Sequence, residues 1–149
     1  MHTLLTLLPV FSPHSRDELK RAVDDCFGVS SSEGNFPTRL HGPIGKWDVS
    51  QVTDMSKLFY NIDTFNYDLS NWDVSRVTNM EAMFRYAEDF NQDLSPWDMS
   101  HVHSMRQMFS FCVEFCQDLG AWDVSRVLDM EEMFFEAEHI NSWMYWVIA

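Results

Sequence analysis

The sequence predicts an α/β repeat solenoid, a right-handed coil with a short parallel β-ladder on one side, short helices on the other and a capping helix at its N-terminal end. Trp47, Trp72, Trp97 and Trp122 are each followed by Asp at a constant spacing of 25 residues, and a fixed period of that length is the mark of stacked repeats. Aligning the copies gives apolar columns: Met55, Met80, Met105, Met130; Leu58, Met83, Met108, Met133; Phe59, Phe84, Phe109, Phe134; and Phe65, Phe90, Phe115, Ile140. A chain of 149 residues that is 46% hydrophobic and 15% aromatic has enough apolar mass for one core of this kind.

Taken in order, residues 1–14 form an apolar leader or extended segment, residues 15–39 a capping helix and linker, residues 40–142 the repeats, and residues 143–149 an aromatic C-terminal edge. Leu4 to Phe11 is apolar, but only His2 stands where a basic leader belongs and Pro9 interrupts the run. Ser15 with Glu18 three residues later is a capping-box pattern, and Leu19, Ala22, Val23 and Cys26 share one face of a helix over 16–27. Ser30 to Gly34 reads as a link. The first turn opens near Leu40, because Leu40, Ile44 and Trp47 hold the register of Phe65, Leu69 and Trp72.

Inside a repeat, Met80, Met83, Phe84, Ala87 and Phe90 follow helical spacing, and Asp54, Asn79, Ser104 and Asp129 are suited to open each helix. Asp68 to Val74 has too few helix formers to continue it and reads as a short strand and turn. Copies of that strand are expected side by side at about 4.8 Å.

A net charge of -13 and a pI near 4.6 repel phosphates, which argues against nucleic acid and anionic membranes and for a basic or neutral protein partner. No run approaches the roughly 20 apolar residues of a membrane span. Three cysteines do not form a disulfide framework. Cys112 falls in the small inward slot of Ala87 and Ala137, and Cys116 in a column with Asn66, Asn91 and Asn141 that suits an internal ladder of backbone-serving side chains.

The aspartate columns Asp48, Asp73, Asp98, Asp123 and Asp68, Asp93, Asp118 read as turn formers, the methionine columns as packing, and His101 with His103 as solvent-facing residues. With no HExxH, phosphate loop or GxSxG motif, the chain is expected not to be an enzyme, and no residue is assigned to catalysis, a cofactor or a metal.

Aromatic residues in slots that should face water are either partner contacts or rings packed between neighbouring turns. Tyr60 and Phe135 share one such slot, Tyr86 and Phe111 the next. Continuing the register puts Trp143 in the Asp68 slot, Met144 in the Leu69 slot, Tyr145 in the Ser70 slot and Trp146 in the Asn71 slot, so a polar edge turns aromatic. An apolar edge either docks on a partner or a second copy, or folds back as an end cap.

The stretches WDVSQVTDM (47–55), NWDVSRVTNMEAMF (71–84) and FNQDLSPWDMS (90–100) resemble the repeat of BspA-like leucine-rich repeat surface proteins and the mycoplasma lipoprotein repeat family. The resemblance spans about Leu40 to Asn141 and implies a leucine-rich-repeat-like coil, cell-surface or secreted, used in adhesion or protein binding, with no catalytic residues. No clear signal peptide, lipid-attachment cysteine or anchor accompanies it. The expected function is a non-catalytic protein-binding or adhesive scaffold, with a linker subunit buried in a larger assembly as the alternative. Association is expected through the C-terminal edge at Trp143, Tyr145 and Trp146 and through Tyr60, Tyr86, Phe111 and Phe135.

Overall fold

The computed structural model describes residues 9–28 and 40–140. One α-helix is present among them, α1 (Arg16–Phe27). Its start is chemically set: the Ser15 hydroxyl accepts the Glu18 amide at 3.2 Å, and the Glu18 carboxylate reaches back to the His14 amide at 2.9 Å. Leu19, Ala22 and Val23 point into the core, and Phe27 meets Phe65 edge-on at 5.3 Å. Ahead of the helix, Phe11 accepts the Asp48 amide with its carbonyl at 2.9 Å and sets its ring against Trp47 at 5.1 Å.

Residues 40–64, 65–89, 90–114 and 115–139 form successive loops stacked in register, and Ile140 begins the register again. Each loop contains a run of overlapping tight turns in place of a helix. In the first, the amides of Leu58, Tyr60 and Ile62 donate three residues back to Met55, Lys57 and Phe59, while those of Met55, Lys57, Phe59 and Asn61 cross to the carbonyls of Asn79, Glu81, Met83 and Arg85 in the next loop. The same division recurs at Met80 to Tyr86 and Met105 to Phe111, giving twelve bonds of 2.8–3.0 Å across the three junctions. Half of the amides in the run thus close the loop on itself, and the other half join it to its neighbour.

The expected α/β solenoid is overturned: the described residues hold no strand, no β-ladder and no α-helix in any repeat, only a three-residue 3-10 turn at Ile44–Lys46 and isolated parallel bridges at Asp54–Asn79, Asn79–Ser104 and Ser104–Asp129. Two causes are visible. Lys57, Asn61, Ala82, Tyr86, Gln107, Phe111, Glu132 and Glu136 have φ between 51° and 63°, and a left-handed residue every fourth position cannot lie in a right-handed helix. The residues expected to cap helices, Asp54, Asn79 and Asp129, instead accept the amide two residues on in turns of their own.

The expected strand fails for a related reason. Asp68 accepts the Ser70 amide at 2.8 Å and Asp73 the Ser75 amide at 3.0 Å, so two side-chain-closed turns occupy the stretch where a strand would run. What ties these stretches together is the indole. Trp72, Trp97 and Trp122 each donate Nε1–H to a carbonyl of the preceding loop, at Ile44, Leu69 and Leu94, all at 2.9 Å.

The inward columns form the core. Phe59, Phe84, Phe109 and Phe134 stack at 5.5–5.6 Å, Phe65, Phe90 and Phe115 at 5.7–5.9 Å, and Met55, Met80 and Met105 are fully buried beside them. The exposed face of the Asn66, Asn91, Cys116 column differs from the internal ladder expected of it. Asn66 Oδ1 accepts the Asn91 amide at 3.0 Å and Asn91 Oδ1 the Cys116 amide at 3.1 Å, with Gln92 and Gln117 donating onto the same oxygens. That ladder runs along the surface.

Candidate functional site

The four aromatic residues singled out within the repeats come together. Tyr60 meets Tyr86 edge-on at 5.8 Å, Tyr86 stacks on Phe111 at 4.6 Å, and Phe111 meets Phe135 edge-on at 5.5 Å. The rings make one continuous row across all four loops, one ring to a loop. The turn run explains how residues from two adjacent columns share the row. Tyr86 and Phe111 are themselves left-handed residues, whereas Tyr60 and Phe135 are the residues just before such positions. The end rings are the open ones, 40% exposed at Tyr60 and 48% at Phe135, with Tyr86 and Phe111 half-buried between neighbouring loops. Trp143, Tyr145 and Trp146, the remaining candidates, lie outside the described residues.

Two neighbours of the row, Arg85 and Ser110, and one residue of another column, Leu128, were not singled out from the sequence. Arg85 sets its guanidinium 5.0 Å from the Tyr86 ring centre and donates to Gln107 Oε1 at 2.7 Å, which pins the ring in place. Ser110 occupies the slot of Tyr60 and Phe135 but is buried, and its Oγ has no hydrogen-bond partner. Leu128 is 87% exposed in a slot held by Thr53, Thr78 and His103, and an apolar residue among polar ones in its own column was the signal that could have found it.

Along the same flank Asp63, Glu88, Asp89, Glu114, Glu136 and Glu138 are exposed. The Asp89 amide donates to the Asp63 carbonyl and the Glu114 amide to the Glu88 carbonyl, so these acids are stacked loop on loop. Elsewhere the aspartates serve turns. The hydroxyl and amide of Ser50 hold Asp48 below the ordinary carboxyl pKa, the amide and hydroxyl of Ser70 do so for Asp68, and Ser95, Ser100 and Ser125 do so for Asp93, Asp98 and Asp123.

Cys112 is buried, donates its thiol to the Phe84 carbonyl at 2.9 Å, and has its pKa pushed far up by burial, an environment that suppresses thiolate chemistry. A shallow groove lies between Asp93–Ser95 and Gln117–Ala121 and is lined by polar and small residues. Among the described residues, no three of His, Cys, Asp and Glu are grouped to hold a metal ion, and no helix is long and apolar enough to cross a membrane.

Stacked 25-residue loops carrying a row of surface rings define a repeat protein. The chain belongs to the family described as Mycoplasma protein of unknown function, DUF285, which matches residues 29–146. No curated protein and no solved structure matches it.

Proposed function

We propose that the chain is a non-catalytic protein-binding scaffold whose contact surface is the row Tyr60, Tyr86, Phe111 and Phe135. The observation that carries this reading is the continuity of the row despite a change of column. Simple repetition of a packing residue would keep the rings in one slot, but Tyr60 and Phe135 hold one slot and Tyr86 and Phe111 the next, and the rings still meet. Aromatic side chains give large contact area with few torsions to freeze, which is why they concentrate at protein interfaces.

The partner is a protein with a neutral or basic contact face. The stacked acids beside the row and the net charge of -13 favour it electrostatically and disfavour nucleic acid. The likeness of the repeat to that of BspA-like surface proteins supports an adhesive use of the same surface. The test is comparative capture from the native source, using the intact chain and a Tyr60→Ser, Phe135→Ser double variant. Both substitutions fall on open rings, so the core is retained. At least one protein is expected to be held by the native chain and lost by the variant; identical retention by both overturns the reading.

A further inference from the structure

The row Tyr60, Tyr86, Phe111 and Phe135 is a single ring wide and crosses the loops in order, so it offers a line of apolar contact running along the stack. Its steps are 5.8, 4.6 and 5.5 Å, and the Phe59 column, one residue earlier in the chain, repeats at 5.5–5.6 Å. Charge is divided across this line. Every loop places an exposed acid two or three residues after its ring: Asp63, Glu88 with Asp89, Glu114 and Glu138. Cations stand in the row and before it, with Arg85 over the Tyr86 ring and Lys57, exposed, three residues ahead of Tyr60.

A line one ring wide suits a rod, and its step selects which rod. An α-helix advances about 5.4 Å per turn and presents residues to one side at i, i+4, i+7 and i+11. Laid along the stack, it brings one side chain to each ring, and over three junctions it falls out of step with the Phe59 column by only about 0.5 Å. Other elements fit less well. Strands laid one to a loop at about 4.8 Å lag by about 2 Å over the same distance, and an extended segment laid along the stack, with like-facing residues about 6.6 Å apart, overruns by about 3 Å.

We propose that the element this row holds is an amphipathic α-helix of about three turns from a partner protein, apolar where it meets the rings and carrying lysine or arginine on one flank only, the flank over Asp63, Glu88, Glu114 and Glu138. The inference rests on the reading of the row as the contact surface. Basic side chains one turn apart on the helix meet acids one loop apart on the stack, so a single register serves the apolar and the charged contacts together. Tyr60 and Phe135, the open rings, receive the first and last turns. Arg85 and Lys57 repel cations on the opposite flank. Because the two flanks of a helix exchange sides when it is reversed, the one-sided charge also fixes the direction in which the helix lies along the stack.

Two synthetic peptides of one composition, leucine, lysine, alanine and glutamine, test this in NMR titrations of the full chain. One spaces its leucines at i, i+4, i+7 and i+11 with lysines along one flank; its isomer sets leucine at every second residue. The helical peptide is expected to shift the signals of Tyr60, Tyr86, Phe111 and Phe135 and to bind roughly tenfold or more tightly than the isomer. A Tyr60→Ser, Phe135→Ser variant and a Glu88→Gln, Glu114→Gln variant are each expected to weaken it by about threefold or more, with unmoved signals at Met80 and Met105 showing that the variants are folded. Equal affinity of the two isomers overturns the inference, as do shifts confined to other surfaces or binding indifferent to the ring substitutions. Should a variant not fold, contacts between peptide leucine methyls and the Tyr60 and Phe135 rings in the native complex decide the matter, their absence refuting the helix. The comparative capture separates the two readings: a native protein lost from the ring variant while the helical peptide fails overturns the helix alone, whereas equal retention overturns the contact surface and the helix with it.

Discussion

Replacing Trp97 by phenylalanine keeps a ring in the core and removes the indole N–H that the Leu69 carbonyl accepts at 2.9 Å. The Leu69 carbonyl keeps the Trp72 amide at 3.0 Å, so one of its two hydrogen bonds is lost, and the urea midpoint of Trp97→Phe is expected to drop by the equivalent of about 0.5–1.5 kcal/mol with an unchanged slope. The turn aspartates give a pH dependence whose sign follows from their lowered pKa values. Asp48, Asp68, Asp93, Asp98 and Asp123 all titrate below the ordinary value of 3.8 in the folded chain, so the unfolded chain binds more protons near that pH. Their contribution is complete above 3.8 and is lost as pH falls through the folded values. Asp98→Asn retains an oxygen able to close the turn, as Asn79 does for Glu81, and removes the titration. Its stability is expected to fall less steeply than that of the native chain in urea titrations stepped from pH 5 to pH 2. At this scale much was legible: the aspartates read as turn formers, the methionines as packing and Cys112 as a buried thiol all follow from slot and residue type. The indole bonds were not, because nothing in the order of residues says which carbonyl a tryptophan will reach in another loop.

The turn run is the element that sequence pattern misreads, and the reason is geometric. Met80, Met83, Phe84, Ala87 and Phe90 point inward whether the backbone is a helix or a chain of overlapping turns, so apolar spacing reports the inward side of both. What separates them is the destination of alternate amides, a property of the neighbouring loop. The left-handed residues give no warning either, since Lys57, Ala82, Gln107 and Glu132 are ordinary helix formers. A substitution pair at Lys57, which is exposed, distinguishes the two backbones. In a helix Lys57→Gly would cost about 1 kcal/mol. In the observed left-handed conformation it is expected to shift stability by less than about 0.5–1 kcal/mol, with Lys57→Val destabilising by about 1–2 kcal/mol, both read from chemical denaturation. By contrast, α1 was legible to the residue, because Ser15 and Glu18 act locally and need nothing from the rest of the molecule.

At the scale of the whole molecule each loop touches chiefly the loops before and after it, so stability is a sum of junctions and need not be uniform. Phe84 is stacked between Phe59 and Phe109, whereas Phe134 has a described ring on one side only. Phe84→Ala is therefore expected to cost about 3–5 kcal/mol and Phe134→Ala less than half as much, measured by urea unfolding followed through tryptophan fluorescence. The repeat, its period and its inward columns were legible across the whole stack. The row of rings was legible only as four separate residues, since its continuity depends on a turn geometry that brings two columns to one line.

The tryptophan bonds have a consequence for how such a chain can change its length. The second and third loops each carry the indole that fastens them to the loop behind and the carbonyl that the next indole takes, as Trp97 and Leu94 do in the third. A duplicated 25-residue block thus arrives with both halves of its fastening, and with four outgoing amides and four incoming carbonyls already in phase. Gene duplication can lengthen or shorten the molecule by whole loops without redesigning any junction. The acidic, aromatic flank would grow or shrink by one step each time, so copy number itself becomes a means of adjusting reach.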